Sequence, residues 1–140
     1  MDVTRSFKIC GSGLAAQRAK LDVVSSNLAN ISTTRTPEGG PYRKRAVALA
    51  AEEVGGQFGS TLEEAVKSVK VDEILENPSV RMMYDPGHPD ADAKGFVAMP
   101  DINLMAEMAD MIAASRAFEA CVTAFDSTKS MTLKVLEMGR

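Results

Sequence analysis

Apolar residues at Phe7, Cys10, Leu14, Leu21, Val24, Leu28 and Ile31 recur at alternating steps of three and four, interrupted only by Gln17. This is the seven-residue repeat of a coiled-coil seam, and it predicts an amphipathic helix with one narrow apolar stripe. Arg18, Lys20, Asp22, Ser25 and Ser26 make up its wet opposite face. Gly11 and Gly13 weaken the first turns, so the regular part is expected over 13–29, a rod of roughly 25 Å. The pattern returns near the other end of the chain. Pro100 and Asp101 block and cap a start, with Asn103 an alternative cap. Leu104, Met108, Met111, Phe118, Val122 and Phe125 then repeat the stripe around a polar Ser115. Beyond Phe125 the repeat slips. Lys129 and Thr132 fall on the seam, while Met131, Leu133, Val135, Leu136 and Met138 imply a shifted or broader face. Neither Pro nor Gly interrupts the chain between Pro100 and Gly139, which predicts a single long helix.

Between these helices the apolar period drops from about 3.5 to 2. The segments 42–49, 66–71, 80–84 and 96–99 are short and rich in β-branched or aromatic residues. They are separated by Gly55-Gly56, Asn77-Pro78 and Asp85-Pro86-Gly87. A small β module of three or four strands follows. The fold class is therefore mainly α with a small β insert: a terminal helix within 1–34, a loop and β-rich module over 35–100, and a second helix within 101–140. The module is too small to cover both stripes, so the helices are expected to pair in a coiled-coil-like manner with each other, with other chains, or with both. Termini that fray in the free chain and order on assembly are the corollary.

The chain has 140 residues, is 45% apolar and 25% charged, and so matches one ordinary soluble domain. It has no Trp and nine Met, so its core relies on aliphatic and thioether packing. The net charge of −3 hides an asymmetry, with 1–45 carrying eight Lys/Arg against three acids and 46–101 carrying four against eleven. A nucleic acid partner is disfavoured, because a phosphate-binding face needs clustered basics that the acidic middle would oppose. Arg43, Lys44 and Arg45, the one tight basic run, are expected along an exposed strand edge. No segment has the apolar run of a cleaved signal peptide or of a membrane span.

Candidate chemistry is sparse. The one histidine, His88, stands beside Asp85, Asp90 and Asp92, groups that a metal or acid/base site would use. Pro86, Gly87 and Pro89 force a turn there, and Asp beside such residues ordinarily bonds nearby backbone N–H groups. Asp90, Asp92 and Gly95 also echo the opening of a calcium loop, but Lys94 occupies the place of an oxygen ligand. No GxSxG elbow or phosphate-cradling glycine loop is present, and no enzymatic activity or cofactor is expected. Cys10 and Cys121 fit buried thiols. With helix ends aligned antiparallel, Cys10 would face Leu133 and lie roughly 18 Å along the axis from Cys121, too far for a disulfide. Met105, Met108 and Met111 at helical spacing fit adaptable packing against non-identical neighbours.

The polar run Ser26-Asn27-Leu28-Ala29-Asn30 at the end of the first stripe resembles the N-terminal signature of bacterial flagellar axial proteins. The long connection from Thr34 to Pro41 before Tyr42 is similar to that of C-type proximal rod proteins of the flagellar basal body. Two further stretches, 84–103 and 107–140, agree with that family. The resemblance implies a non-enzymatic rod subunit in the periplasm-crossing drive shaft, exported by the flagellar type III apparatus without a cleaved signal peptide. It implies contacts with itself and with other proximal and distal rod proteins, and neither a small-molecule substrate nor membrane insertion. On this reading Leu14, Leu21, Val24, Asn27, Leu28 and Asn30 of the first helix form the subunit interface with Leu104, Met108, Met111, Phe118, Val122 and Phe125 of the second. Asn27 and Asn30 would bond a neighbour's backbone, and Thr36, Pro37, Gly39, Gly40 and Pro41 would form an intersubunit spacer. The alternative is a cytoplasmic helical adaptor using the same stripes; a hydrolase centred on His88 is the remoter one.

Overall fold

A computed structural model describes residues 3–53 and 67–139. The order is α1 (Val3–Ala29), β1 (Lys44–Glu53), β2 (Lys67–Asn77), β3 (Val80–Tyr84), β4 (Phe96–Pro100) and α2 (Leu104–Met138). Two long helices flank two separate two-stranded antiparallel sheets, β1 with β2 and β3 with β4. Gly55-Gly56 and Val66, which sequence placed at a turn and a strand start, lie outside the described residues.

The helix α1 begins at Val3 rather than at Gly13. Gly11 and Gly13 are tolerated because tertiary packing outweighs their propensity cost of about 1 kcal/mol each. Gly13 also has a positive reason to be glycine: a Cβ there would sit 3.2 Å from the Cys121 sulfur, so the two helices approach closely at this point. Asn103, not Asp101, caps α2. Its side chain accepts from the backbone N–H groups of Met105 and Ala106.

The helix pair is antiparallel, with α1 held between α2 and the β1–β2 ribbon. On the ribbon side, the Ser12 hydroxyl accepts from the Val69 N–H at 3.2 Å. On the α2 side, Asn27 meets Glu107, Lys20 meets Asp110, Gly13 meets Cys121, and Phe7 meets Phe125 at 4.8 Å between ring centroids. This register corrects the aligned-ends expectation. Cys121 lies beside Gly13, about one helical turn from Cys10, and both thiols are free and half-buried. Extrapolated, Val3 lies opposite about residue 129, so the last turns of α2 run roughly 13 Å past the start of α1 as described.

The inner stripe of α2 is Glu107, Met111, Ala114, Phe118, Cys121, Phe125, Thr128 and Thr132, an unbroken 4,3 alternation of buried and half-buried positions. Three expected seam residues, Met111, Phe118 and Phe125, lie on it. Leu104, Met108 and Val122 lie on an exposed flank. The helices meet over small side chains, Ala16 and Ala114, both almost fully buried, which lets the backbones approach more closely than a Leu/Met seam would.

The β1–β2 ribbon carries a register shift between Ala48 and Leu49 that leaves Asp72 as an extra residue on β2. The acidic turn between β3 and β4 is stitched by its own side chains. Asp85 accepts from Gly87 N–H, Asp92 from Lys94 and Phe96 N–H, and the His88 Nδ1 from Asp90 N–H. These groups hold backbone, as the turn chemistry predicted.

Candidate functional site

The polar end of α1 turns inward. Asn27 is only 1% exposed, and all four of its hydrogen-bonding positions are filled within the chain. Its amide nitrogen donates to the Arg45 carbonyl at 2.8 Å and to Glu107 Oε2 at 3.0 Å. Its amide oxygen accepts from Arg45 N–H at 2.9 Å and from the Tyr42 hydroxyl at 3.1 Å. One side chain thereby ties α1 to the first strand of the ribbon and to α2.

Glu107 completes the node. It is also 1% exposed, and its Oε1 stands 2.7 Å from the Lys44 ammonium, a charge contact whose alignment falls short of a formed hydrogen bond. A carboxylate so deeply buried requires a cation and donors close by, and Lys44 and Asn27 supply them. Burial raises the Tyr42 phenol above its ordinary value of 10.0; the nearby Arg45 opposes this, and Glu76 and Glu107 add to it. Arg45 sits 5.8 Å over the Tyr42 ring and pairs with Glu76 at 2.9 Å. The basic run is therefore not a plain exposed edge, since Lys44 and Arg45 both point into this cluster.

Asn27 and Val24 are consequently withdrawn from the expected intersubunit set, because their own chain buries them. Asn30 is half-buried and caps locally, its amide donating to the Ser26 carbonyl and its oxygen accepting from Thr33. Leu14, Leu21 and Leu28 are half-buried. The segment Thr36–Pro41 is a small loop closed on itself: Thr36 N–H donates to the Gly40 carbonyl at 2.9 Å, and Gly39 N–H to that of Thr36 at 3.0 Å. Gly39 and Gly40 have φ of 92° and 78°, in the region that favours glycine. Pro37 to Gly40 are exposed, and the loop borders an open groove of about 420 Å³ lined in part by Arg35, Arg43 and Arg45.

Sequence reasoning missed Glu107 and Tyr42. Glu107 was detectable in principle, since it lies four residues before Met111 and seven before Ala114, a carboxylate on an otherwise apolar stripe. The node is a clamp, with its polar atoms turned on three segments of the same chain. Outside it, α2 exposes Leu104, Met105, Met108 and Ile112 at one end and Met131, Leu133, Val135, Leu136 and Met138 at the other. Among the described residues no helix is long and apolar enough to cross a membrane, and no group of three His, Cys, Asp or Glu is placed to hold a metal ion.

Comparison with known proteins agrees with this architecture. Residues 7–35 match the family model for flagella basal body rod proteins. Residues 93–138 match that for the C-terminal region of flagellar basal body rod FlgEFG proteins. The chain is 42% identical to the flagellar basal-body rod protein FlgC of Borreliella burgdorferi, covering 94% of this chain and 93% of that protein. It is 41% identical to the FlgC of Bacillus subtilis and 38% identical to that of Salmonella typhimurium, in both cases over 100% of each chain. Both terminal helices and the module between them fall within these matches, and the chain belongs to the FlgC family of flagellar basal-body rod proteins.

Proposed function

We propose that this chain is a structural subunit of the flagellar basal-body rod, joined to its neighbours by the apolar faces of its terminal helices. The observation that carries the reading is the exposed face of α2. It displays a row of large apolar side chains that neither α1 nor either sheet covers, in a family whose characterised members are named as rod proteins. Burial of each such side chain stabilises an assembly by about 1.5–3 kcal/mol, which a soluble monomer forgoes. The adaptor alternative draws no support from those relatives. Leu104, Met108 and Val122, with the half-buried Leu14, Leu21 and Leu28, are the interface residues of this reading. Met111, Phe118 and Phe125 act indirectly by setting the helix pair.

The finer parts of the proposal concern route and neighbours. The chain leaves the cytoplasm through the flagellar type III apparatus without a cleaved signal peptide, and it meets other proximal and distal rod proteins in the periplasm. The Thr36–Pro41 loop, exposed over Pro37 to Gly40, serves as an intersubunit spacer, which its self-contained hydrogen bonding supports because the loop keeps its shape without leaning on the module. Deleting Thr36 to Gly40 tests both parts. Export of the variant with loss of rod assembly is expected, and normal motility overturns the spacer. For the rod assignment itself, a tagged full-length chain should co-purify with basal bodies after membrane extraction. A discrete soluble cytoplasmic complex instead would refute it.

A further inference from the structure

The four strands do not present equal edges. On β1, the Arg45 N–H and carbonyl that point away from the ladder are both bonded by Asn27. On β2, the Val69 N–H donates to Ser12, and Lys70, Asp72, Glu73 and Glu76 line the strand around its register shift. On β4, Asp92 closes the edge at Phe96: its backbone N–H donates to the Phe96 carbonyl at 2.9 Å, and its carboxylate accepts from the Phe96 N–H at 3.0 Å. Pro100 ends that strand without an N–H. The edge of β3 is open. The Asp85 N–H donates to the Gly95 carbonyl at 2.9 Å, so the bonds toward β4 fall on odd-numbered positions, and Val80, Met82 and Tyr84 turn their N–H and carbonyl groups outward. Among the described residues none of these groups has a partner, every residue of β3 is exposed, and Arg81 is the strand's one charge. A two-stranded sheet is marginal by itself and gains from further strands, and an apolar edge without a bulge or an internal proline is a template for one.

We infer that β3 pairs with β3 of a second copy of this chain, antiparallel about Met82, so that two two-stranded sheets become one of four strands. Register selects this occupant. Val80 then lies opposite Tyr84 of the second copy, Met82 opposite its Met82, and Tyr84 opposite its Val80. Each of these positions already points its N–H and carbonyl outward, so every outward group on both strands is bonded. A two-fold axis normal to the sheet keeps like faces together. Val80, Met82 and Tyr84, with Phe96 packed edge-on against Tyr84 at 5.3 Å between centroids, thus join their equivalents in one continuous apolar face. Charge agrees with this pairing. Arg81 faces Met83 of the second copy, with that copy's Asp85 on one diagonal and its Arg81 on the other, and the long side chain takes the acidic side. A contact of this length is smaller than the interfaces of permanent dimers, so the pair forms and separates with concentration. It lies on the module and not on the terminal helices, and being two-fold it closes instead of propagating. It is a state of the free chain and does not rest on the rod-subunit reading.

The test uses the full-length chain. Met82→Cys, in a Cys10→Ala/Cys121→Ala background, places a thiol on the two-fold axis, where bonded antiparallel positions bring Cα atoms to about 5.5 Å, within the span of a disulfide. With oxidised glutathione as oxidant it is expected to form a covalent dimer. Leu75→Cys in the same background is expected to form none, although Leu75 on β2 is 51% exposed against 55% for Met82. By sedimentation velocity at rising concentration, the unmodified chain is expected to show a monomer–dimer equilibrium. Met82→Pro removes an outward N–H that no intrachain bond uses, and Met82→Lys sets two ammonium groups at the axis; both are expected to stay monomeric over the same range. Equal cross-linking at 75 and 82, a dimer that survives both substitutions, or an unmodified chain that stays monomeric throughout overturns the pair. Co-purification of the tagged unmodified chain with basal bodies is scored separately, so the pair can fail while the rod assignment stands.

Discussion

The two ends of α2 differ in what holds them. At its start, Asn103 caps the helix, Glu107 is clamped by Lys44 and Asn27, and Ala114 lies against α1. At its finish, Met138 is 85% exposed, and the other large apolar side chains from Met131 onward are each more than half exposed. The heptad spacing of the inner stripe does not change between them. What changes is the cover: one end is packed within the chain, and at the other the apolar side chains are left more than half exposed. A polar node that fixes register at one end thus determines how much apolar surface is left over at the other.

Substitutions at the clamped end should therefore destabilise the monomer, and those at the open end should not. The largest effect is expected for Lys44→Met, which strands the buried Glu107 carboxylate and should cost about 3–5 kcal/mol in urea unfolding. A loss under about 1 kcal/mol would show that the node does not set the register. Asn27→Ala removes the amide that bridges three segments and should cost about 2–3 kcal/mol. Tyr42→Phe is milder, about 1 kcal/mol for the lost hydroxyl bond, and it carries a pH signature. The Tyr42 phenol is held above its ordinary 10.0 in the folded chain. Its contribution is complete below that pH and is lost as pH rises through the folded value, because the unfolded chain releases the proton first. The decline in unfolding free energy above pH 10 should accordingly flatten in Tyr42→Phe.

Glycines give a smaller contrast. Gly11→Ala meets nothing within 4 Å and should stabilise α1 by about 0.5–1 kcal/mol. Gly13→Ala should gain less, because its Cβ crowds the Cys121 sulfur at 3.2 Å, and combination with Cys121→Ala should restore the gain. Least of all, Val135→Asp/Leu136→Asp should change monomer stability by no more than about 0.5 kcal/mol, measured by thermal unfolding at low concentration.

Much of the fold was legible in the sequence, for identifiable reasons. The 3,4 repeats and the absence of breakers marked both helices, the shift to period two marked the module, and Asn103 stood where a cap was needed. Register was not legible, because it depends on Asn27 and Glu107 meeting across 80 positions, a contact no local pattern encodes. The seam on α2 was read correctly at Met111, Phe118 and Phe125 and misplaced at the other three positions, because Leu104, Met108 and Val122 outweigh Ala114 and Cys121 in hydrophobicity. Packing rewarded small residues that admit close approach. The interface role given to Asn27 failed for a related reason: a helix-end amide satisfies the nearest backbone, and the nearest backbone is that of the strand which the chain itself returns.

Hydrogen–deuterium exchange along α2 in dilute, purified full-length chain tests the central claim most directly. Slow exchange over 107–125 with rapid exchange over 130–138, the latter becoming protected only on assembly, is the predicted result. Equal protection of both segments in the dilute monomer would contradict it.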